Sequence, residues 1–195
     1  MPAFEDDLPE GHDDVEEMDD IDEVDEVDEI ESFDEIKDGS RDFINEADIA
    51  VAAWHEDGRW TLAELSDPYD IAQIITRLKS QQTNGGSIAL IAIDEEFFIL
   101  IRVLGSHISL FLSDATAALD YPVAEELLEI ADLPIPEDDD EAGPTGHLEI
   151  LADLGMSGME ITALCDDEEL FPDEQLEAIA SRLGFGEEFA ELLDL

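Results

Sequence analysis

The chain has 195 residues, with 56 Asp and Glu against 7 Lys and Arg and a formal net charge of -49 at pH 7. A surface this negative repels phosphate backbones and anionic lipids, because proteins bind both largely through Lys and Arg. We therefore expect no direct contact with nucleic acid or with a membrane. No apolar run approaches the roughly 20 residues of a membrane span, and the single cysteine, Cys165, excludes an internal disulfide. The sequence predicts a cytoplasmic protein.

The first 46 residues are the most acidic part of the chain. Residues 1–46 carry 22 Asp and Glu and two bases, whereas residues 47–195 keep a net charge of -29. In the stretch 21–33, IDEVDEVDEIESF, apolar residues recur every three positions. Each step of three turns a helix by about 300°, so no single apolar face forms. Dense like charge also opposes compaction, so the sequence predicts a disordered acidic tail. The alternative is that the spaced apolar residues order on a basic partner.

Residues 47–132 have the pattern of an α+β domain. Two β-rich runs, at 49–54 and 60–65, flank an Asp57-Gly58 turn signal and predict a hairpin. A helix follows, with Asp67 as its cap and Pro68 at its first position. Its predicted apolar face consists of Ile71, Ile74, Ile75 and Leu78.

Three further strands are predicted at 87–93, 97–103 and 107–112. Their connections are short enough only for antiparallel neighbours. The first two runs are apolar throughout, so we place them at the centre of the sheet, covered on both faces. A second helix is predicted after Pro122. The element order is that of profilin, longin and roadblock domains, with a five-stranded antiparallel sheet and helices on its faces.

The remainder divides into an acidic linker rich in Pro and Gly at 133–146 and an all-helical C-terminal unit at 147–195. Ser157 and Glu160 form a capping-box pattern. A later helix begins at Pro172 and ends at Gly184. Since so small a helical unit rarely has a sufficient core of its own, we expect it to dock on the α+β domain or on a partner.

Two fragments of metal-binding motifs occur near the linker, and neither is complete. Calcium-loop positions 1, 3, 6 and 12 are matched, but positions 5 and 7 are Ala142 and Pro144. The matching residues are Asp138, Asp140, Gly143 and Glu149. His147 and Glu149 also match the H-x-E half of the zinc nucleobase deaminase signature, but the P-C-x-x-C half is absent. We predict a solvated linker, and Cys165 as a small core residue.

No arrangement of residues predicts catalysis. The four histidines are scattered, and the chain contains neither a G-x-S-x-G elbow nor a Gly-rich phosphate loop. These histidines are His12, His55, His107 and His147. Trp54 and Trp60 flank the first turn and are predicted to pack in the core or across strands. We therefore assign no catalytic, cofactor-binding or metal-binding residues and expect no cofactor.

Two segments carry a resemblance to a known family. They are FLSDATAALDYPVAEELLE at 111–129 and HLEILADLGMSGMEITALCDDEELFPDEQLEAIASRLGFGEEFAELL at 147–193. Both resemble the actinobacterial tRNA adenosine deaminase-associated proteins, an uncharacterised family, with the similarity spanning about residues 48–195. The resemblance implies association with a tRNA adenosine deaminase but brings no catalytic or binding residues. The tail before Asp48 has no obvious counterpart in the family.

These observations together predict a non-enzymatic cytoplasmic accessory protein that binds a basic protein. The resemblance points to a tRNA adenosine deaminase as that partner, or to another basic RNA-processing protein. The alternative is a homodimeric α+β scaffold whose acidic tail only increases solubility. The two hypotheses differ in whether a basic partner or a second copy of the chain covers the surface.

Overall fold

The computed structural model describes residues 48–81, 83, 85–137 and 141–194. The predicted disordered tail at 1–46 lies outside the described residues. Asp138 and Asp140 of the incomplete calcium loop also lie outside them. The predicted boundaries of the domains and of the linker stay predictions.

The described residues form an α+β fold around one antiparallel sheet. Its strands lie in the order β2-β1-β3-β4-β5-β6. Their bounds are β1 Ile49–Glu56, β2 Arg59–Glu64, β3 Ser87–Ile93, β4 Phe97–Leu104, β5 His107–Leu112 and β6 Thr145–Gly146. The chain thus follows the predicted order of strands and helices, but the prediction of five strands was wrong, because a sixth joins the edge of the sheet.

The sixth strand comes from residues that the composition assigned to the linker. Phe111 and Leu112 of β5 pair with Gly146 and Thr145 of β6. Gly146 has a φ of 98°, and a Cβ there would lie 3.1 Å from the Phe111 Cα. Only glycine therefore allows this close approach of two backbones. A two-residue strand has too few side chains to show an alternating pattern, so the sequence did not reveal it.

The sheet is buried on both faces. Every residue of β3 is buried, as is every residue of β4 except Leu104, which confirms their predicted central position. One face, the first face, packs against α1 (Ile71–Ser80), α2 (Pro122–Ile130) and a 3-10 helix at Ala115–Leu119. The opposite, second face packs against α3 (Gly158–Cys165), α4 (Pro172–Leu183) and α5 (Gly186–Leu193).

Helix ends largely follow their predicted signals. Ser157 and Glu160 form the capping box that begins α3, and Gly184 in the left-handed conformation ends α4. The predicted start of α1 was wrong. Its cap is Asp70, which accepts a hydrogen bond from Gln73 N at 2.7 Å, whereas Asp67 accepts one from Tyr69 N at 2.9 Å. Asp67 therefore stabilises the turn that precedes the helix.

The three C-terminal helices cover the second face of the sheet. Phe185 and Phe189 are fully buried in the same apolar cluster as Phe98 and Phe111 from the central strands. Trp54 packs on the first-face cluster and Trp60 on the second-face cluster, which confirms the predicted packing roles. In the part of the chain that the structure describes, no helix is both long enough and apolar enough to cross a membrane.

Arg102 is a buried cation in this second layer. Its guanidinium donates hydrogen bonds to both carboxylate oxygens of Asp153, to the Ile150 carbonyl at 2.9 Å and to the Gly85 carbonyl at 3.2 Å. Its side chain is 6% exposed, whereas that of Asp153 is 60% exposed. These bonds tie the segment before α3 to the middle of the sheet. The Arg102 contact also holds the pKa of Asp153 below its usual value.

The turn between β3 and β4 is strained. Asp94 and Glu95 both have positive φ, 51° and 58°, and Glu96 N donates to the Ile93 carbonyl at 2.9 Å. Two successive left-handed residues are a geometry in which Asn and Gly are preferred. A side chain in this conformation costs about 1 kcal/mol. The turn therefore holds two acidic residues where glycine would be more stable.

We predict that Asp153→Asn destabilises the protein by about 1–2 kcal/mol at pH 7, because the buried Arg102 loses its charged partner while solvent screens the exposed carboxylate. A folded-state pKa below the unfolded value gives stability that is present above about pH 3.9 and is lost as pH falls through the folded-state pKa. Urea denaturation at pH 7 and pH 3 should show the penalty shrinking at low pH. As the matched control, Arg182→Gln removes the half-exposed pair with Glu160 and should cost less stability than Asp153→Asn, because solvent screens an exposed ion pair. A pH-independent penalty would contradict the assignment.

We also predict that Glu95→Gly stabilises the protein by about 1 kcal/mol, because glycine adopts positive φ without strain. Thermal denaturation measures the change. The control is Glu96→Gly, at a neighbouring position without positive φ, which should destabilise by about 0.5–1 kcal/mol. Equal effects at both positions would show that the turn is not strained.

Candidate functional site

A groove whose charged lining residues are all acidic lies where four segments of the chain meet. Its volume is about 390 Å³, and it is lined by the β3–β4 turn, the residues after β5, a short stretch at 142–144, and the connection between α3 and α4. We call it the acidic groove. The described lining contains no Lys, Arg or His, and its acidic residues are Glu95, Glu96, Asp114, Asp166, Asp167 and Glu168.

Asp114 is held in place by the backbone around it. Its Oδ1 accepts hydrogen bonds from Thr116 N at 2.9 Å, Thr116 Oγ1 at 2.7 Å and Gly143 N at 3.3 Å. In addition, Ala115 N donates to the Gly143 carbonyl at 2.8 Å. Asp114 therefore caps the 3-10 helix at Ala115–Leu119 and joins it to the far wall of the groove, while its second oxygen takes no hydrogen bond from the described residues.

Three further acids follow the C-terminal end of α3. The last turn of this helix has no basic residue, and Asp166 is its C-cap. The partial negative charge of a helix C-terminus favours cations and disfavours carboxylates. Asp166, Asp167 and Glu168 thus stand where the local field opposes them, and no described cation pairs with them. Asp167 Oδ1 accepts a hydrogen bond from Glu169 N at 3.1 Å, whereas the described residues give Asp166 and Glu168 no such bond.

An exposed aromatic ring completes the groove. Phe171 is 59% exposed, and its backbone N–H donates to Glu174 Oε2 at 3.0 Å at the start of α4. Carboxylates beside an exposed ring are the groups that receive Lys and Arg side chains, through ion pairs and cation–π contacts. The groove therefore has the chemistry of a binding site for cationic side chains.

Cys165 lines the same groove but is not a reactive thiol. Burial, and then the negative charges of Asp166 and Asp114, raise the pKa of Cys165 to about 12. Only the thiolate attacks electrophiles or binds metals. The side chain is partly buried against the second-face cluster, which agrees with its predicted role as a small packing residue.

His147 and Glu149, the deaminase-like pair, have backbone partners. His147 N donates to the Leu110 carbonyl at 2.8 Å, and Leu110 N lies 3.2 Å from His147 Nδ1. Glu149 Oε2 accepts from Gly158 N at 3.2 Å. Within the described residues no three His, Cys, Asp or Glu side chains are grouped so as to hold a metal ion. His12 lies outside those residues, and His55 packs against Trp60.

A second cleft, of about 530 Å³, lies beside Arg102 and is also lined by His107, His147, Glu149 and Asp153. Sequence reasoning missed this grouping, because β4, β5 and the segment after β6 bring together residues up to 51 positions apart. The Arg102 guanidinium is already bonded to Asp153 and to two carbonyls. Its positive charge is therefore used to hold the fold together.

We predict that iodoacetamide alkylates Cys165 at pH 8 at least 100-fold more slowly than it alkylates a free cysteine, because so little thiolate is present. Mass spectrometry of the intact chain follows the reaction. The same chain unfolded in guanidinium chloride serves as the control and should react at the rate of free cysteine. Equal rates in the folded and unfolded chains would contradict the raised pKa.

Comparisons with known proteins identify the family. The sequence profile of the Rv3753c-like tRNA adenosine deaminase-associated proteins matches residues 48–186. Protein Rv3753c from Mycobacterium tuberculosis (strain ATCC 25618 / H37Rv) is 36% identical over 151 residues, which cover 75% of this chain and 87% of the mycobacterial protein.

No solved structure matches the chain, so the likeness to profilin, longin and roadblock domains rests on element order alone. The family match begins at Asp48, immediately before β1, and extends into α5. It therefore includes both faces of the sheet and every wall of the acidic groove. The chain belongs to the Rv3753c-like family of tRNA adenosine deaminase-associated proteins, as the resemblance of segments 111–129 and 147–193 predicted.

Proposed function

We propose that this protein is a non-enzymatic cytoplasmic accessory protein that binds a tRNA adenosine deaminase through the acidic groove. The observation that carries the proposal is the groove itself, in which six carboxylates and an exposed Phe171 meet without a described cation. The family description supplies the class of partner, since it names association with the deaminase.

Charge makes the pairing physically favourable. An enzyme that binds tRNA presents Lys and Arg to the phosphates, and an acidic protein attracts that same surface at long range. At the contact, cations from the partner would also offset the unfavourable position of Asp166 after α3. A basic partner would thus stabilise the groove carboxylates that have no cation beside them among the described residues.

The non-enzymatic part of the proposal rests on the family description and on the sequence. The family is described as deaminase-associated rather than as a deaminase. A zinc nucleobase deaminase takes two or three of its metal ligands from cysteines, and this chain contains one cysteine. The protein would act on tRNA editing only by binding the enzyme.

The proposal excludes direct binding to tRNA. Of the five bases in residues 47–195, Arg102 and Arg182 are paired with carboxylates, so the described surface carries few free cations. Phosphate binding requires several. Any tRNA present in a complex would therefore be held by the deaminase.

The test is calorimetric binding of the full-length chain to the tRNA adenosine deaminase of the same organism at 50 and 300 mM NaCl. A triple variant, Asp166→Asn, Asp167→Asn and Glu168→Gln, should weaken binding by about 10–100-fold at low salt, because each partly exposed ion pair contributes up to about 1 kcal/mol. It should also weaken the dependence of affinity on salt.

The matched control removes the same charge from the first-face layer, with Glu125→Gln, Glu126→Gln and Glu129→Gln on α2. It should change the affinity by less than about threefold. Equal losses in both triple variants would show that net charge, not the groove, drives binding. Absence of binding by the unmodified chain at both salt concentrations would refute the proposed function.

A further inference from the structure

Among the described residues, no strand or loop pairs with the outer edge of β2. β2 pairs with β1 on one side only, with Glu56 opposite Arg59 across the Asp57-Gly58 turn. In this antiparallel register alternate residues bond to β1, and Leu65 N donates to the Ala50 carbonyl at 2.8 Å. Arg59, Thr61 and Ala63 therefore face β1. The N–H and C=O groups of the remaining residues, Trp60, Leu62 and Glu64, point away from the sheet, and no described residue bonds to them.

The other edge of the sheet ends in β6, a strand of only two residues. Phe111 and Leu112 of β5 pair with β6. The next outward-facing residue, Leu110, bonds to His147 through both its N–H and its carbonyl. Proteins commonly protect sheet edges in this way, because unpaired edges invite further strands. β2 has no such cover from the described residues, although it is six residues long.

The open edge differs in charge from the rest of the surface. Three of the five bases in residues 47–195 have no carboxylate partner among the described residues, and all three lie on β2 or α1: Arg59, Arg77 and Lys79. Arg77 lines a groove of about 480 Å³ beside Glu64 and Asp67. β2 thus begins with a base, Arg59, and ends at an acidic stretch that starts at Glu64.

We propose that β2 binds β2 of a second copy of this chain, as an antiparallel pair with a two-fold axis at Leu62. This register pairs all three outward-facing residues, with Trp60 opposite Glu64 of the second copy and Leu62 opposite itself. It forms one continuous sheet across the dimer. The proposal is independent of the deaminase partner and of the acidic groove.

Charge complementarity favours a second copy as the occupant. Antiparallel self-pairing places Arg59 opposite Leu65 of the other copy, in the acidic stretch that contains Glu64 and Asp67, and a two-fold axis repeats that contact. Trp60 and Leu62 are only partly buried against the second-face cluster, so pairing would bury more of both. If the occupant were instead a basic strand of another protein, Arg59 would have no complementary charge.

The two copies carry net charges of -49 each, so long-range repulsion opposes the dimer. Salt screens this repulsion beyond roughly 8 Å at physiological strength. Added salt should therefore strengthen self-association, whereas it should weaken binding of a basic protein at the acidic groove. The opposite signs of the two salt effects allow each proposal to fail without the other.

The test uses Glu64→Pro in the full-length chain. Proline removes the N–H of residue 64, which points outward and is not used by β1, and edge strands accept proline at such positions. Sedimentation equilibrium at 50 and 500 mM NaCl should show a dimer of the unmodified chain that tightens with salt. Glu64→Pro should weaken dimerisation at least tenfold while the far-UV circular dichroism spectrum stays unchanged.

Two further variants separate pairing from charge and from unfolding. Glu64→Gln removes the charge but keeps the N–H, and it should dimerise within about threefold of the unmodified chain. Ala63→Pro removes an N–H that faces β1 and should lose native circular dichroism. A chain that stays monomeric at 100 μM in both salts, or a folded Glu64→Pro variant that dimerises normally, would overturn the proposal. The first result would also be obtained if the occupant were a strand of another protein.

Discussion

The constraint on which the structure depends is that the sheet is apolar on both faces. β3 and β4 have no solvated side, because successive side chains point to opposite faces and almost all of them are buried. Such a sheet is stable in water only between two layers. The elements between β2 and β3 and after β5 supply one layer, and the C-terminal helices supply the other. The C-terminal helices share one apolar cluster with Phe98 and Phe111 of the central strands.

This burial also decides where the charge is located. Because both faces of the sheet are covered, the acids of the described residues lie on turns, strand ends, helix ends and outer helix faces. Arg102, by contrast, is a charged side chain in the interior. Its position is fixed by the central strand β4 and by hydrogen bonds to Asp153 and two carbonyls. Most acids simply face solvent. The acids after α3 lie in the unfavourable field of a helix C-terminus. Two acids of the β3–β4 turn, Asp94 and Glu95, have a strained backbone.

The acidic groove differs from the rest of the acidic surface because its carboxylates occupy positions that are locally unfavourable for them. A net charge attracts every cation weakly and is screened by salt. A groove that fixes Asp114 through three hydrogen bonds and adds an exposed ring presents its charges at defined positions. The open edge of β2 differs in kind, since it offers backbone N–H and C=O groups unpaired among the described residues and carries one base, Arg59. The two proposals thus concern different parts of the surface, a groove that would bind cationic side chains and an edge that would bind a strand.

The amino-acid sequence by itself determined five of the six strands, most helix ends, the family and the excess of acid, because these depend on local pattern and composition. Continuous apolar runs identified β3 and β4 as central, and Ser157 with Glu160 identified the start of α3. Tertiary structure alone decided the features that depend on residues distant in sequence. The sixth strand exists because Gly146 pairs with Phe111. Arg102 bonds to Asp153, 51 residues away, and the acidic groove forms where four segments converge. No local pattern encodes these contacts, since each arises only when the sheet has brought its neighbours together.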